Sequence, residues 1–484
     1  MIKVASDADR VAVAKLQEEG QGHVFNFWDE ISPADQKELL RQIQRLDLPK
    51  VLGLILQYRE AARSAGQSRV YEPSRFLELP TTHDGGALWA EARQFGEEAL
   101  RGGKVAIAMS AGDLAESEGF TAPKGTYPVG PVSGKCLFHL HAERLLALKK
   151  RYRANLPLFV ITSVDTHEST TETFREHQNF NLSRQDVKFV SQESLPVINR
   201  RGQLTLRGRS ELSFRPTGHG GAMARLLEED VFKSLEIQGI EYIFFCQVGN
   251  PLVRIGDPTM IGHHVSGQYD VTSKAVLKTD TEERIDVFCR CNGALTVVGP
   301  RELGEEEFHR RLVDGRLAHG AGNAAIHVFS MNYLRALRED SRGVPFHFVE
   351  QRTPFIDRRG RLVNPRKPNS IVFENSVSDL LSRAEKTLVI ETSREEEFLP
   401  IWHSKGDHSP ESASRALSEL YRSWLDRIGA EIPDQSVSDT GDANVERRVE
   451  ISPLFALDVA ELQERMSREQ VELPPDATSG LYLE

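Results

Sequence analysis

The chain reads as an α/β protein: a mixed, mostly parallel sheet, preceded by a helical N-terminal domain and followed by a small C-terminal domain. Three observations predict this. Short apolar runs recur between helical stretches at Val105–Met109, Pro157–Ser163, Val187–Val190, Tyr242–Val248, Asp286–Cys291 and Ile326–Ser330. Apolar runs of strand length without polar alternation, separated by helices, belong to sheets covered on both faces. Residues 1–101 instead carry Leu, Glu, Gln and Arg at helical spacing. Late in the chain, Ala413, Ala416, Leu417, Leu420, Tyr421, Trp424, Leu425 and Ile428 share one face at three-and-four spacing.

Length alone suggests roughly three domain-sized units, and the pattern divides the chain into 1–101, 102–390 and 391–484. In the first segment, Ser32-Pro33 ahead of ADQKELLRQIQRLDL marks a capped helix with proline in its first turn. The second opens on Lys104–Lys150, where a strand runs into a turn-rich loop, then Pro123-Lys124-Gly125, then an amphipathic helix. Strand, loop, fixed lysine and helix in that order can present backbone N–H groups and one cation to phosphates. The third segment holds the late helix, a polar stretch DQSVSDTGDANVER that reads as an exposed loop, and a short GLYLE tail. The run Arg394–Glu397 reads as a solvated helix start.

Composition excludes several classes. Lys and Arg number 60 against 71 Asp and Glu, a net charge of −11, which argues against nucleic-acid or anionic-membrane surfaces. No apolar run approaches the ~18 residues a membrane span needs. The N-terminal MIKVASDADRVAVAKLQ lacks the apolar core of a signal peptide, so a cytoplasmic protein is expected. Cys136, Cys246, Cys289 and Cys291 form no zinc pattern and read as reduced thiols. His139-x-His141, His263-His264 and Cys289-x-Cys291 read as packing residues before metal ligands.

Ordered blocks carry a resemblance. GHVFNFWDEISP, the stretch from PKG to HAERLLAL, RPTGHGG, QVGNPLVRIGDP, TSKAVLKTD, GNAAIHVFS, VPFH and REEEFLP follow one another from about Gly20 to the C-terminus. In this the chain resembles the UDP-sugar pyrophosphorylases, the UDP-N-acetylglucosamine branch above all. The resemblance implies a Rossmann-like nucleotidyltransferase sheet of GT-A-like type. It implies the joining of UTP to a sugar 1-phosphate, with release of pyrophosphate, by in-line attack on the α-phosphorus. Such chemistry rests on positioning, charge neutralisation and Mg2+.

Some family positions are kept. By resemblance Lys124 contacts phosphate and nucleotide, Gly112 opens the phosphate loop, and Gln192 reads the uracil edge. Pro216, Gly218, His219, Gly220 and Gly221 form a turn against uridine, and Asn323 contacts the sugar. Others depart. The glycine-rich loop with its arginine is here Gly112-Asp113-Leu114-Ala115-Glu116-Ser117-Glu118-Gly119, and side chains replace the glycines that admit phosphate oxygens. Ser117 stands where a forked cation is expected. The magnesium-ligating aspartate is replaced by Gly249, which offers no side-chain oxygen to a hard cation. Gly299 replaces an acid expected against sugar hydroxyls, Ser376 and Ser378 replace aromatic residues of the sugar pocket, and Trp402 replaces a basic lysine. Asp257 is expected to keep a structural role.

Two readings of activity follow. In the first, turnover is impaired or lost while uridine-nucleotide or UDP-sugar binding persists, which fits a pseudoenzyme with a scaffold or regulatory protein partner. In the second, the chain is an active uridylyltransferase with a rebuilt phosphate site, Lys405 and Lys135 supplying the missing cations. Bland alternatives stay open beside the kept residues. Lys124 also reads as a solvent-facing lysine after proline, Gln192 as a capping residue, and the glycine turn as tight strand-to-helix packing.

Overall fold

The computed structural model describes the chain except residues 1, 3, 5, 65–68, 82, 118–119, 341–342, 431–446, 472 and 474–479; for 62–64, 83–84, 115–117 and 120–121 it describes the backbone alone. Its central element is a ten-stranded sheet. The strands are β1 Glu72–Pro73, β2 Val105–Ser110, β3 Leu158–Thr162, β4 Val187–Ser191, β5 Tyr242–Gln247, β6 Val271–Leu277, β7 Val287–Cys291, β8 Ala294–Val298, β9 Ala321–Ser330 and β10 Thr387–Glu391. Along the main path the order is β1-β7-β9-β5-β2-β3-β4, with β6 pairing β9 and β10, and β8 pairing β7.

Strand direction bears out the α/β class with a mixed, mostly parallel sheet. The pairs β5–β2, β2–β3, β3–β4 and β6–β10 are parallel. Strand β9 runs antiparallel to β5, β6 and β7, and β7 is antiparallel to β1 and β8. So β2 to β7 and β10 point one way, and only β1, β8 and β9 oppose them. The apolar runs behave as expected: every residue of β2 and β3 is buried. Their core includes Ile107, Val160, Phe244 and Ile261.

One topological feature positions the site. From β2 the chain moves outward to β3 and β4, then returns to place β5 on the other side of β2, with Gln247 opposite Ser110. Open α/β sheets bind ligands at such a switch point, beyond the carboxyl ends of the strands. The segment after β2 (Ala111-Gly112-Asp113) and the segment after β5 (Val248-Gly249-Asn250) both leave there.

The described residues fall in two units that interleave along the sequence. One comprises Met1–Val70, Gln192–Ala224 and Arg342–Leu380; the other comprises Tyr71–Ser191, Arg225–Ser341 and Leu381–Glu484 and contains the sheet. In the first, helices Asp7–Glu18, Pro33–Gln44 and Leu48–Ser64 share a core with small strands, including Leu16, Leu39, Ile43, Ile198 and Phe373. Ser32 caps its helix as expected, its side chain accepting from the Asp35 amide with Pro33 in the first turn. In the second, the late helix spans Pro410–Arg427, opened by a Ser409–Ser412 capping box. It buries Ala413, Leu417, Leu420, Tyr421 and Leu425.

Two expectations change, and the GLYLE tail takes a defined form. The turn-rich loop after β2 is a β-hairpin, Leu114–Ser117 paired antiparallel with Phe120–Pro123. The GLYLE tail is an ordered strand, Leu481–Leu483, running parallel to Val449–Ile451. Arg394–Glu397 is not a wholly solvated helix start, because Glu397 is buried on Lys274. Most of DQSVSDTGDANVER, together with Glu118 and Gly119, lies outside the described residues.

Candidate active site

In the sheet-bearing unit, the hairpin carries the chain from Asp113 back to Lys124. The Lys124 amide donates to the Asp113 carbonyl at 3.0 Å. The two side chains also meet, Lys124 Nζ lying 3.2 Å from Asp113 Oδ2. The Lys124 side chain is 17% exposed and that of Asp113 55%. Gly125 lies flat on Phe138: a Cβ there would stand 2.2 Å from the ring. That contact explains the glycine of Pro-Lys-Gly by packing, since Phe138 is buried in the first turn of helix Leu137–Tyr152.

Gly249 sits under the same lysine. A Cβ at 249 would lie 3.2 Å from Lys124 Cδ, so the lysine stem covers the position where the resemblance expects an aspartate. The turn is held from outside. The Gly249 carbonyl accepts from the Ile401 amide at 2.8 Å. The Asn250 side chain donates to the Glu397 carbonyl at 2.7 Å and accepts from the Leu399 amide at 3.1 Å. These bonds bring the segment after REEEF across the end of β5. His141 supports the turn from below, its Nε2–H donating to the Val248 carbonyl at 2.9 Å. Burial pushes its pKa down to about 3, so the ring is neutral at physiological pH.

Between Lys124, Leu114 and Tyr127 on one side and Trp402, His403 and Lys405 on the other lies a cavity of about 510 Å³. Trp402 is half exposed and packs on His408, ring centres 4.2 Å apart. Lys405 lines this cavity. Lys135 does not: its ammonium is held at 2.6 Å by Glu143 and also by Tyr482. Burial alone would lower its pKa, but Glu143 and Tyr482 outweigh it and hold the ammonium above its usual value. Of the two expected replacement cations, only Lys405 faces the Lys124 cavity.

Asp257 keeps the structural role expected of it. Its carboxylate caps helix Pro258–Ser266, accepting from the Thr259 amide at 3.0 Å, and pairs with Lys274 at 2.7 Å. Glu397 meets the same ammonium. Burial opposes ionisation of Asp257, yet Lys274 and Arg254 hold its carboxyl well below the usual range.

A second group gathers where β7 leaves β9. The Asn323 amide donates to the Asp286 carbonyl at 2.8 Å, and the Asn323 side chain accepts from the Ala325 amide at 2.9 Å. A Cβ on Gly299 would lie 3.1 Å from Asp286 Oδ1. A carboxylate therefore stands beside Gly299 although Gly299 has none of its own. Sequence reading missed Asp286; an acid directly ahead of the β7 apolar run was the available signal.

The remaining candidates lie in the other unit. Gln192 is buried, and its Oε1 lies 3.4 Å from the Cβ position of Gly221. Gly218 has φ +76°, the left-handed region that favours glycine. Gly220 donates its amide to the Asn375 carbonyl at 3.1 Å, and a Cβ there would reach 2.5 Å from that peptide. A Cβ at Gly221 would collide with Thr217 Oγ1. The turn thus has a packing reason for its glycines. Pro216 ends strand Phe214–Pro216 and His219 is exposed within the first turn of helix Gly218–Leu226.

The donor set does not fit magnesium at the expected place. Gly249 contributes no side-chain oxygen, its carbonyl is already bonded to the Ile401 amide, and Asp113 pairs with Lys124. Hard cations need several oxygen ligands, and among the described residues no cluster of three or more His, Cys, Asp or Glu is arranged to hold one.

The sheet with its crevice at the β2–β5 switch point is of the open α/β class, which binds ligands at that place. Comparison with known proteins narrows it. Residues 74–407 match the family model described as UTP--glucose-1-phosphate uridylyltransferase. The human UDP-N-acetylhexosamine pyrophosphorylase-like protein 1 is 33% identical over 443 residues, covering 87% of this chain and 86% of its own. UDP-N-acetylglucosamine diphosphorylase 2 of Arabidopsis thaliana is 30% identical, covering 86% and 85%. A crystal structure of the uridine diphosphate N-acetylglucosamine pyrophosphorylase from Trypanosoma brucei, in complex with an inhibitor, shares the fold. Its TM-score is 0.81 at 20% identity, over 100% of this chain and 99% of that one. The chain belongs to the UDP-sugar pyrophosphorylase family of nucleotidyltransferases. Among the described residues no helix is long and apolar enough to cross a membrane.

Proposed function

We propose that this chain is a UDP-sugar pyrophosphorylase homologue that binds uridine nucleotides weakly and without metal dependence, and whose uridylyl transfer is impaired. One observation carries the reading: the Lys124 ammonium pairs at 3.2 Å with the chain's own Asp113 carboxylate. The family reaction needs that cation on phosphate. Here a phosphate would have to displace Asp113 and then sit beside its negative charge. Gly249 compounds the loss by supplying no metal ligand. Gln192, Pro216, Gly218 and His219 are the residues assigned to uridine, and Asn323 with Asp286 to sugar hydroxyls. Gly112 would lie under the phosphates and Lys124 would be the remaining catalytic residue. A cytoplasmic location, and a role as scaffold or regulator of an active relative, accompany this reading. The division into a helical N-terminal domain 1–101, a central domain 102–390 and a C-terminal domain 391–484 belongs to the same reading.

Lys405 favours a second reading, an active uridylyltransferase with a rebuilt phosphate site, because it lines the cavity that Lys124 lines. Calorimetric titration with UTP, UDP and UDP-N-acetylglucosamine, each with and without Mg2+, separates the two. Weak binding that Mg2+ leaves unchanged supports the impaired enzyme. Tight, Mg2+-dependent binding of UTP would refute it.

A further inference from the structure

A second cavity, about 290 Å³, lies in the sheet-bearing unit and shares no lining residue with the Lys124 cavity. Its wall is unusually rich in cations: Arg93, Arg144, Arg151 and Arg254 all line it. Three acids, Asp257, Glu396 and Asp458, line it as well, but each is engaged by a cation. Asp257 pairs with Lys274 at 2.7 Å, Glu396 with Arg427 at 2.7 Å, and Asp458 with Arg151 at 2.9 Å and Arg93 at 3.6 Å. Arg254 in turn faces Glu397 at 3.8 Å.

Arg144 differs from its neighbours. It projects from helix Leu137–Tyr152, and among the described residues no carboxylate pairs with it. Its Nη1 is sealed from solvent without a hydrogen-bond partner, while the residue as a whole is part-buried. Burial is the largest influence on it and disfavours its charge, while the Tyr421 hydroxyl is its hydrogen-bonding neighbour. A guanidinium taken out of water is normally matched by a carboxylate or phosphate, for which its planar fork is suited. The rest of the wall is aromatic and aliphatic. Tyr421 and Trp424 stand edge to face with ring centres 5.6 Å apart, and Leu148, Leu252 and Leu420 flank them.

We propose that this cavity is a second ligand site, which takes a small aromatic anion, its acid group against the Arg144 guanidinium and its ring against Tyr421 and Trp424. The volume sets the size, because about 290 Å³ is near the lower end of ligand pockets and excludes a nucleotide sugar. The unmatched charge sets the sign. The acid group is a carboxylate or a phosphate monoester, both of which a guanidinium receives through two parallel hydrogen bonds.

The test is calorimetric titration of the full chain with phenyl phosphate, benzoate and, as the uncharged control, benzyl alcohol. Binding of either anion without benzyl alcohol is expected, and the stronger of the two identifies the acid group. Arg144→Gln should weaken it roughly tenfold or more, the loss of a charge-assisted pair. Ala460→Trp, which places an indole at the exposed rim without removing a charged residue, should abolish it, and this variant decides the matter if Arg144→Gln fails to fold. Lys124→Ala should leave the affinity within about twofold, since the sites share no residue. No binding of either anion to the native chain overturns the proposal. So does binding that Lys124→Ala removes, or binding that survives Ala460→Trp.

Discussion

Replacing Asp113 by asparagine should strengthen UTP binding, and the structure indicates by how much. Asp113 Oδ2 is 3.2 Å from Lys124 Nζ, so a phosphate oxygen replacing it on the lysine would stand about 5 Å from the displaced carboxylate. Two unit charges at ~5 Å repel by about 3 kcal/mol at an effective dielectric of ~20 and by under ~1 kcal/mol in bulk water. Because more than half of the Asp113 side chain is exposed, solvent screening favours the lower part of that range, about 1–2 kcal/mol. Breaking the existing pair adds little, as exposed ion pairs contribute ~0.2–1 kcal/mol. The expected gain is therefore about tenfold in UTP affinity, at ~1.4 kcal/mol per decade. Titration of native and Asp113→Asn proteins with UTP measures it, and uridine, which has no phosphate, serves as the control. Uridine affinity should not change. Unchanged or weaker UTP binding in the variant would refute the reasoning, since Asp113 would then not be competing with phosphate for Lys124.

Four further outcomes are expected. Lys274→Met leaves the buried Asp257 and Glu397 carboxylates with Arg254, 3.8 Å from Glu397, as their remaining cation, and should cost about 3–5 kcal/mol in urea denaturation. The same pair sets an acid limit. Asp257 has a folded pKa below its unfolded value of ~3.9, so its contribution is full above pH ~4 and is lost as the pH falls further. Denaturation midpoints of the native chain should drop below that pH and drop less in Asp257→Asn. Gly262→Ala should destabilise by about 3 kcal/mol or more, read as a fall in Tm, because its Cβ would stand 1.5 Å from the Ala92 carbonyl where helices His83–Arg101 and Pro258–Ser266 cross. Finally, Ser117→Arg with Gly249→Asp should not restore turnover in a pyrophosphate assay. Asp113 remains on Lys124, Trp402 still replaces a lysine, and the new Cβ crowds the Lys124 stem at 3.2 Å.

The parts of the fold that were legible in sequence are those decided locally. Strands β2, β3, β4, β5, β7 and β9 announce themselves as apolar runs because both of their faces are covered. Strand β6 does not, because Lys274 interrupts VTSKAVL; the lysine is tolerated there only through Asp257 and Glu397, distant in sequence. The same partnership hid the burial of Glu397, which by itself reads as one of three acids at a helix start. At the site, the substitution of Gly249 and the acidic loop were visible directly. What was not visible is that Asp113 turns back on Lys124, that Asp286 stands beside Gly299, and that Lys135 is consumed by Glu143. Each depends on which chain segments meet across the sheet, and residue type does not encode that. The glycines of the turn at Gly218–Gly221 show the converse: their presence, suggestive in sequence, has a steric cause in Asn375 and Thr217.

Pyrophosphate release is the most direct measurement of whether this site still works. The chain is incubated with UTP, Mg2+ and a panel of sugar 1-phosphates that includes N-acetylglucosamine 1-phosphate, and pyrophosphate is read by a coupled assay. With Lys124 held by Asp113 and no side-chain oxygen at Gly249, release should stay at the level of the Lys124→Ala variant for every sugar. Robust release with any one of them, abolished by Lys124→Ala, would contradict the impaired reading and assign the chain to the active uridylyltransferases.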